Sequence, residues 1–456
     1  MKSKKKTAST KITKIPPPAP IDLDRRAMRR IMLIVWLAAL VSRLVFLAET
    51  IDMPLLRTPI PGMDIALYWD AAVEWRSNLA TPNFLAMLVS APFFVFILSI
   101  LQVICAEHFG ALRVVMLLIG SCSCALVTLA AWFLSRNYRA ALLSGLLLAF
   151  LPSLIFLDSS VHKATVEIFL ITLLCGLILG VRRDTPFKNR LVALLGGLIL
   201  AGLLLSQLST FLLAPLVGLF FLLEPGIVKK ERLIAAGLLM ACVVLTASLF
   251  ALRPKDLEQG RYLPQVGIHL FIGSQPNSQG DYTRIRFLPP TPAGHLFFAR
   301  LMAEAEIRHP LSPSEADRYY RQKAIRRLLD NPGQTLILLA RKGYAFFNQH
   351  ELSDAHSLYS IEPYSVFLRL LTQQCHYGYG FLVLFALWGV GPAFRARPTA
   401  LGFLAGLLLA FLAANLLTFV TWRYRIHAVV PLAVLGGFGF SSVVDWSRQH
   451  GSHLKD

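Results

Sequence analysis

Charge is scarce in this 456-residue chain: 16% of its residues are Asp, Glu, Lys or Arg, against 55% that are hydrophobic. A mean hydropathy of +0.58 excludes a solvated, disordered polypeptide. Acid is scarcer still, with 26 carboxylates facing 45 Lys and Arg and a formal charge of +19. The basic residues sit mostly between apolar runs, so the excess reports membrane topology and no nucleic-acid partner is expected. Cysteine is sparse. Cys105, Cys122, Cys124, Cys175 and Cys242 lie in apolar stretches and Cys375 has no evident partner, so neither a disulfide nor a zinc site is expected. The chain also lacks HExxH, CxxC, a Ser-His-Asp order and a phosphate loop, since Lys342-Gly343 has no upstream glycine.

What remains is a series of apolar runs over 31–48, 84–106, 113–134, 140–157, 164–181, 190–206, 208–223, 232–252, 377–394, 400–418 and 426–444. If all crossed a membrane, the clusters around Arg182/Arg183, Lys229/Lys230 and Arg395/Arg397 would face outward, against the positive-inside rule. Laying 84–106, with its Pro92 and Gln102, on the outer surface repairs every later loop. The expectation is an all-α polytopic bundle of about ten crossings with both termini cytoplasmic. Residues 1–30 read as a basic, disordered, uncleaved cytoplasmic tail. Residues 31–252 form an N-terminal membrane module with an external loop at 49–112. Residues 253–375 form a large external loop with juxtamembrane helices, 376–446 the last helices, and 447–456 a cytoplasmic tail.

This topology gathers Asp64, Asp70, Glu74, Arg113, Asp158, His162, Lys163, Glu167, Arg423 and Arg425 at one membrane boundary. Ionisable groups there are costly and mark a site. The loop Pro61–Asp70 sets two carboxylates among aromatics and suits one wall of it. Carboxylates can take a proton from an attacking hydroxyl, and Lys and Arg can hold a phosphate. Arg113 opens a span against the helix dipole. Arg423 and Arg425 lie outside against the charge rule, which favours a phosphate ligand. Asp70 has two readings, a salt bridge to Arg76 or a substrate contact, and Asp158 either orients Lys163 or meets sugar hydroxyls. Tyr344, Tyr359 and Tyr364 suit an interfacial belt.

Several segments in order resemble the GT-C superfamily of polyprenyl-phosphate-sugar glycosyltransferases, near the protein mannosyltransferases and aminoarabinose transferases. They are Gly62-Met63-Asp64 with Tyr68, Ala91-Pro92-Phe93-Phe94, Arg113, and Phe156–Lys163. In the large loop they are Phe271–Tyr282, Asn331-Pro332, Arg341-Lys342 and His350-Glu351; Trp422–His427 with Pro431 closes the series. Asp64 is followed by Ile65 where mannosyltransferases carry a second acid, and Ala91-Pro92 replaces a Pro-Pro pair. The resemblance implies Asp64 as catalytic base, with Lys163, Arg423, Arg425 and Arg113 on the donor phosphate. Asp70, Asp158, Tyr68 and Glu351 would bind or orient sugar and acceptor. It implies transfer from a polyprenyl-phosphate sugar to a lipid, glycan or protein, with inversion. With no dense carboxylate cluster, no metal or other cofactor is expected. The expected location is a bacterial inner membrane, with the site facing the periplasm. The alternatives are a transporter or flippase of lipid-linked sugars, and a lipid-linked-oligosaccharide ligase or polymerase.

Overall fold

The structure is a computed structural model that describes residues 21–61, 63–77, 91–181, 186–225, 227–251, 266–286, 288–289, 291–353 and 357–451. It is all-helical apart from one isolated bridge between Asp281 and Val420. Among the described residues, seven helices are long and apolar enough to cross a membrane, and the bent pair Tyr138–Ala149 and Pro152–Ser159 makes eight if it is one span. The chain is an integral membrane protein.

Three of the ten expected runs stand outside that count of long straight helices, each for a local reason, and the helix within 84–106, the run expected on the surface, is short as well. Pro152 opens a new helix and forces Leu151 into extended backbone, so the run at 140–157 bends by 56°. The helix Lys163–Leu179 has only 17 residues. The apolar run at 208–223 is divided into a 3-10 turn, Leu208–Leu212, and an 11-residue helix, Leu213–Leu223. The helix Pro92–Ile104 has 13 residues, about 20 Å, which does not span a core of about 30 Å. Residues 78–90, including the start of the run at 84–106, lie outside the described residues, as do Gly62 and the tail 1–20.

Small residues let the last helices close. A Cβ on Gly389 would stand 1.9 Å from the Leu435 carbonyl oxygen, and one on Gly439 would stand 1.9 Å from that of Phe385. The helices Tyr379–Ala396 and Val429–Gly451 therefore touch backbone to backbone, as small residues allow in membranes. A second lock is polar. Arg43 of the first helix, fully buried, donates to Asp158 at 2.7 Å and to the Ala39 and Ala149 carbonyls at 3.1 Å. It thereby satisfies the carbonyl exposed by the break before Pro152.

Two pieces frame the site above this bundle. The helix Asp64–Ser77 packs on Pro92–Ile104 through Tyr68 against Phe94 (5.4 Å) and Trp75 against Phe96 (6.0 Å). The helices Val266–Gly273, Pro292–Ile307 and Pro313–Asp330 share a core of Ile268, Phe271, Ile272, Ala299, Tyr320 and Ala324, which Phe419 joins. The Gly280 carbonyl accepts from Val420 N–H at 2.9 Å, tying this loop to the strand-like stretch that leads into Arg423.

Candidate functional site

Asp64 is the first residue of its helix, where the positive end of the peptide dipoles favours a carboxylate. Arg423, from the turn before the last helix, donates Nη1 to Asp64 at 2.5 Å. The same Nη1 lies 3.3 Å from Nε2 of His162. His162 caps the helix Lys163–Leu179 by accepting from Ala164 N–H at Nδ1, 3.1 Å. That bond leaves the proton of the neutral ring on Nε2, so two N–H donors face one another there. Beside them Lys163 reaches the Ser206 carbonyl at 3.2 Å and Glu167 at 3.5 Å. Glu167 also holds His427 at 2.7 Å, four residues past Arg423. Arg423, 359 residues from Asp64 and 261 from His162, thus joins segments distant in the chain at one place.

The long loop adds a wall that the sequence reading did not include. His269 and His295 stand edge to face at 5.7 Å, and His269 also meets Phe419 at 5.6 Å and Tyr424 at 6.4 Å. The Tyr282 hydroxyl and His295 Nε2 are 2.8 Å apart. Both imidazoles feel the Asp64 charge. Nothing in their sequence context singles these histidines out, and only the tertiary fold brings them within reach of the Asp64 charge.

Burial alone would raise the Asp64 carboxyl, yet Arg423 and then His162 outweigh it and leave it below the ordinary carboxylate range. Burial, helped by Arg423, depresses His162 to about 3. Burial and the neighbouring His295 depress His269 to about 3, and burial takes His295 to about 4. All three rings are neutral at neutral pH, and the sign of the linkage follows. An unfolded histidine binds its proton below about 6.5, whereas the folded rings refuse it until about 3 to 4. Stability contributed by these rings is complete above the unfolded value and is lost as pH falls through that window. Melting temperature is therefore expected to fall from near pH 6 downward, before carboxylates titrate. Replacing His269 by Asn is expected to flatten the slope, and a profile flat to pH 4.5 would contradict this.

The other residues expected at the site are elsewhere. Arg113 is buried, donating Nε to the Ser159 carbonyl at 2.9 Å and Nη2 to Thr50 at 3.4 Å; it finishes a helix end. Asp158 is held by Arg43, not by Lys163. Arg425 is fully buried and bonded to Glu351 at 2.9 Å, so both are turned away from Asp64 into the protein. Tyr68 is wedged on Phe94 in the core beneath the Asp64 helix. Asp70 is exposed, and Arg76 pairs with Glu107 at 2.5 Å instead. Of the residues expected on the donor phosphate, the structure brings Lys163 and Arg423 to Asp64.

No family model matches the chain, and no curated protein does. Solved structures are similar. The archaeal oligosaccharyltransferase AglB from Archaeoglobus fulgidus, in complex with an inhibitory peptide and a dolichol-phosphate, is similar at 14% identity and a TM-score of 0.51, over 94% of this chain and 52% of that one. The apo form of the Archaeoglobus fulgidus oligosaccharyltransferase is similar at 14% identity and a TM-score of 0.52, over 93% of this chain and 51% of that one. The chain spans about half the length of these proteins. The likeness shows a shared GT-C-like membrane fold.

Proposed function

We propose that this chain is a membrane glycosyltransferase that moves a sugar from a polyprenyl-phosphate donor to a hydroxyl or amine of a lipid, glycan or protein acceptor. The observation that carries this reading is the convergence of Arg423 Nη1 and the capped His162 ring, 3.3 Å apart and both donors, beside Asp64 and Lys163. Two donors at that distance can share one oxygen that bridges them from the side, and a phosphate diester supplies one. The similar archaeal structure holds a dolichol-phosphate, which supports a lipid phosphate as the anion.

In the proposed step the donor phosphate draws Arg423 from Asp64, and Lys163 and His162 complete its cradle. Asp64, released from its partner, takes the proton of the acceptor. The acceptor atom forms its bond to the anomeric carbon as the carbon–oxygen bond to phosphate breaks, and that oxygen keeps the electron pair. The positive groups stabilise the leaving phosphate, so the step needs no general acid. Since Arg423 and Lys163 supply this charge, a divalent metal is not required, and EDTA is expected to leave the rate unchanged.

The test is transfer by the purified full-length protein in detergent, with a panel of radiolabelled polyprenyl-phosphate sugars and a membrane extract as acceptor. Label transfer with inverted anomeric configuration is the expected result. Retention of configuration would overturn the single displacement. Donor binding without transfer from any donor would favour a transporter of lipid-linked sugars.

A further inference from the structure

Away from Asp64, the long loop holds an open polar cavity. It lies between the segment Ser274–Ser278, the end of the helix Pro313–Asp330 and the start of the helix Pro332–Phe347, with a volume of about 240 Å³. Arg327 and Arg341 line it, with Gln275, Asn331 and Gln334, and none of its lining residues is acidic. Arg341 donates to the Ser278 carbonyl at 3.2 Å, which leaves most of its N–H groups for another acceptor. Arg327 lies 4.9 Å over the Phe271 ring, and its Nη1 is buried with no hydrogen-bond partner among the described residues. A buried guanidinium nitrogen left without an acceptor is costly, and the cost disappears when an anion enters. The helix Pro332–Phe347 adds its N-terminus, where Asn331 makes no side-chain cap and the first amides stay open.

The surroundings tell where the cavity sits. Ile337 of its lining is 56% exposed, and Leu329 and Leu336, each next in sequence to a lining residue, are 73% and 68% exposed. Apolar side chains this open beside a basic cavity suit the interface of a bilayer, with the guanidinium groups at headgroup level.

We propose that this cavity binds a phosphate group at the membrane surface, as a site separate from Asp64 and not dependent on the transfer reaction. The same chemistry serves a phospholipid headgroup and a water-soluble phosphorylated ligand. Its floor continues into Gly280, where a Cβ would stand 2.9 Å from the Arg341 backbone. That segment is the one tied to Val420 ahead of Arg423.

The test uses the full-length protein in a maltoside detergent, which carries no phosphate, titrated with inorganic phosphate by calorimetry. Wild type is compared with Arg341→Ala, Arg327→Gln and Arg423→Gln. The expected result is a saturable component weakened about tenfold in Arg341→Ala, the loss of a charged hydrogen-bond donor. It is weakened similarly in Arg327→Gln and kept in Arg423→Gln. Competition by added phosphatidylglycerol would assign the site to a lipid headgroup; persistence against it would assign a soluble ligand. No saturable binding, or binding lost only in Arg423→Gln, would overturn the proposal. Since Arg423→Gln reports on the Asp64 site alone, failure of one site does not read as failure of the other.

Discussion

Replacing Asp64 by Asn is expected to lower kcat by about 10²- to 10⁴-fold, the range for loss of a positioned general base, while donor KM changes little. The geometry makes the substitution clean. An Asn oxygen still accepts from Arg423 at the Asp64 position, now 2.5 Å from Nη1, and Asn is well tolerated at a helix start. The ion pair is only partly buried, with side chains 12% and 22% exposed, so the fold has little to lose. What the variant lacks is an atom able to take a proton. Asp70→Asn is the control: that carboxylate is exposed on the same helix, and its loss is expected to leave kcat unaltered. Equal losses in both variants would place the base elsewhere. Because Arg423 holds Asp64 below the ordinary carboxylate range in the free protein, the base form persists to low pH. Its loss as an active form occurs only as pH falls through that depressed value. The acid limb of kcat/KM is thus expected below the ordinary carboxylate range, and Arg423→Gln is expected to move it upward.

The sequence carries much of this at the level of class and little at the level of contact. The apolar runs and the basic loops between them give an all-helical membrane bundle, because crossing a bilayer demands length and apolarity that composition alone reveals. The break at Leu151 is half legible: Pro152 is visible, but not that Arg43 of another helix satisfies the Ala149 carbonyl left at the 56° bend. That Asp64 and Lys163 meet at one membrane boundary is legible, because a carboxylate or an ammonium there is costly without a partner. Asp158 and Arg113 obey the same cost and answer it differently, with partners inside the bundle. A charge pattern cannot tell a ligand-binding group from one that another distant group neutralises. His269 and His295 show the converse. They sit on two short helices of the long loop, and only tertiary packing, His269 against Phe419 and Tyr424 and His295 against His269 and Tyr282, brings them under the Asp64 charge.

The second large effect separates two arginines that a motif treats as one. Residues two apart on a helical turn project about 200° from each other, so Arg423 and Arg425 cannot serve the same ligand. Arg423 faces Asp64. Arg425 faces the turn after Phe347 and donates to the carbonyls of Ala345, Asn348 and His350 at 2.8 Å each, with its plane 4.3 Å over Tyr379. Arg425→Leu strands the Glu351 carboxylate and those carbonyls in a buried place. It is expected to cost about 3–5 kcal/mol, as breaking a buried pair from one side does, and to show as a lowered melting temperature and poor yield. Arg425→Lys is expected to rescue little, since one ammonium cannot reproduce a planar fork that serves four carbonyls and a carboxylate. Removing Glu351 as well, in Arg425→Leu/Glu351→Leu, is expected to recover part of the loss, because the stranded charge is then gone. Arg423→Leu is expected to do the reverse: a folded protein with weakened donor binding. A stable Arg425→Leu protein that fails to bind donor would instead return Arg425 to the phosphate.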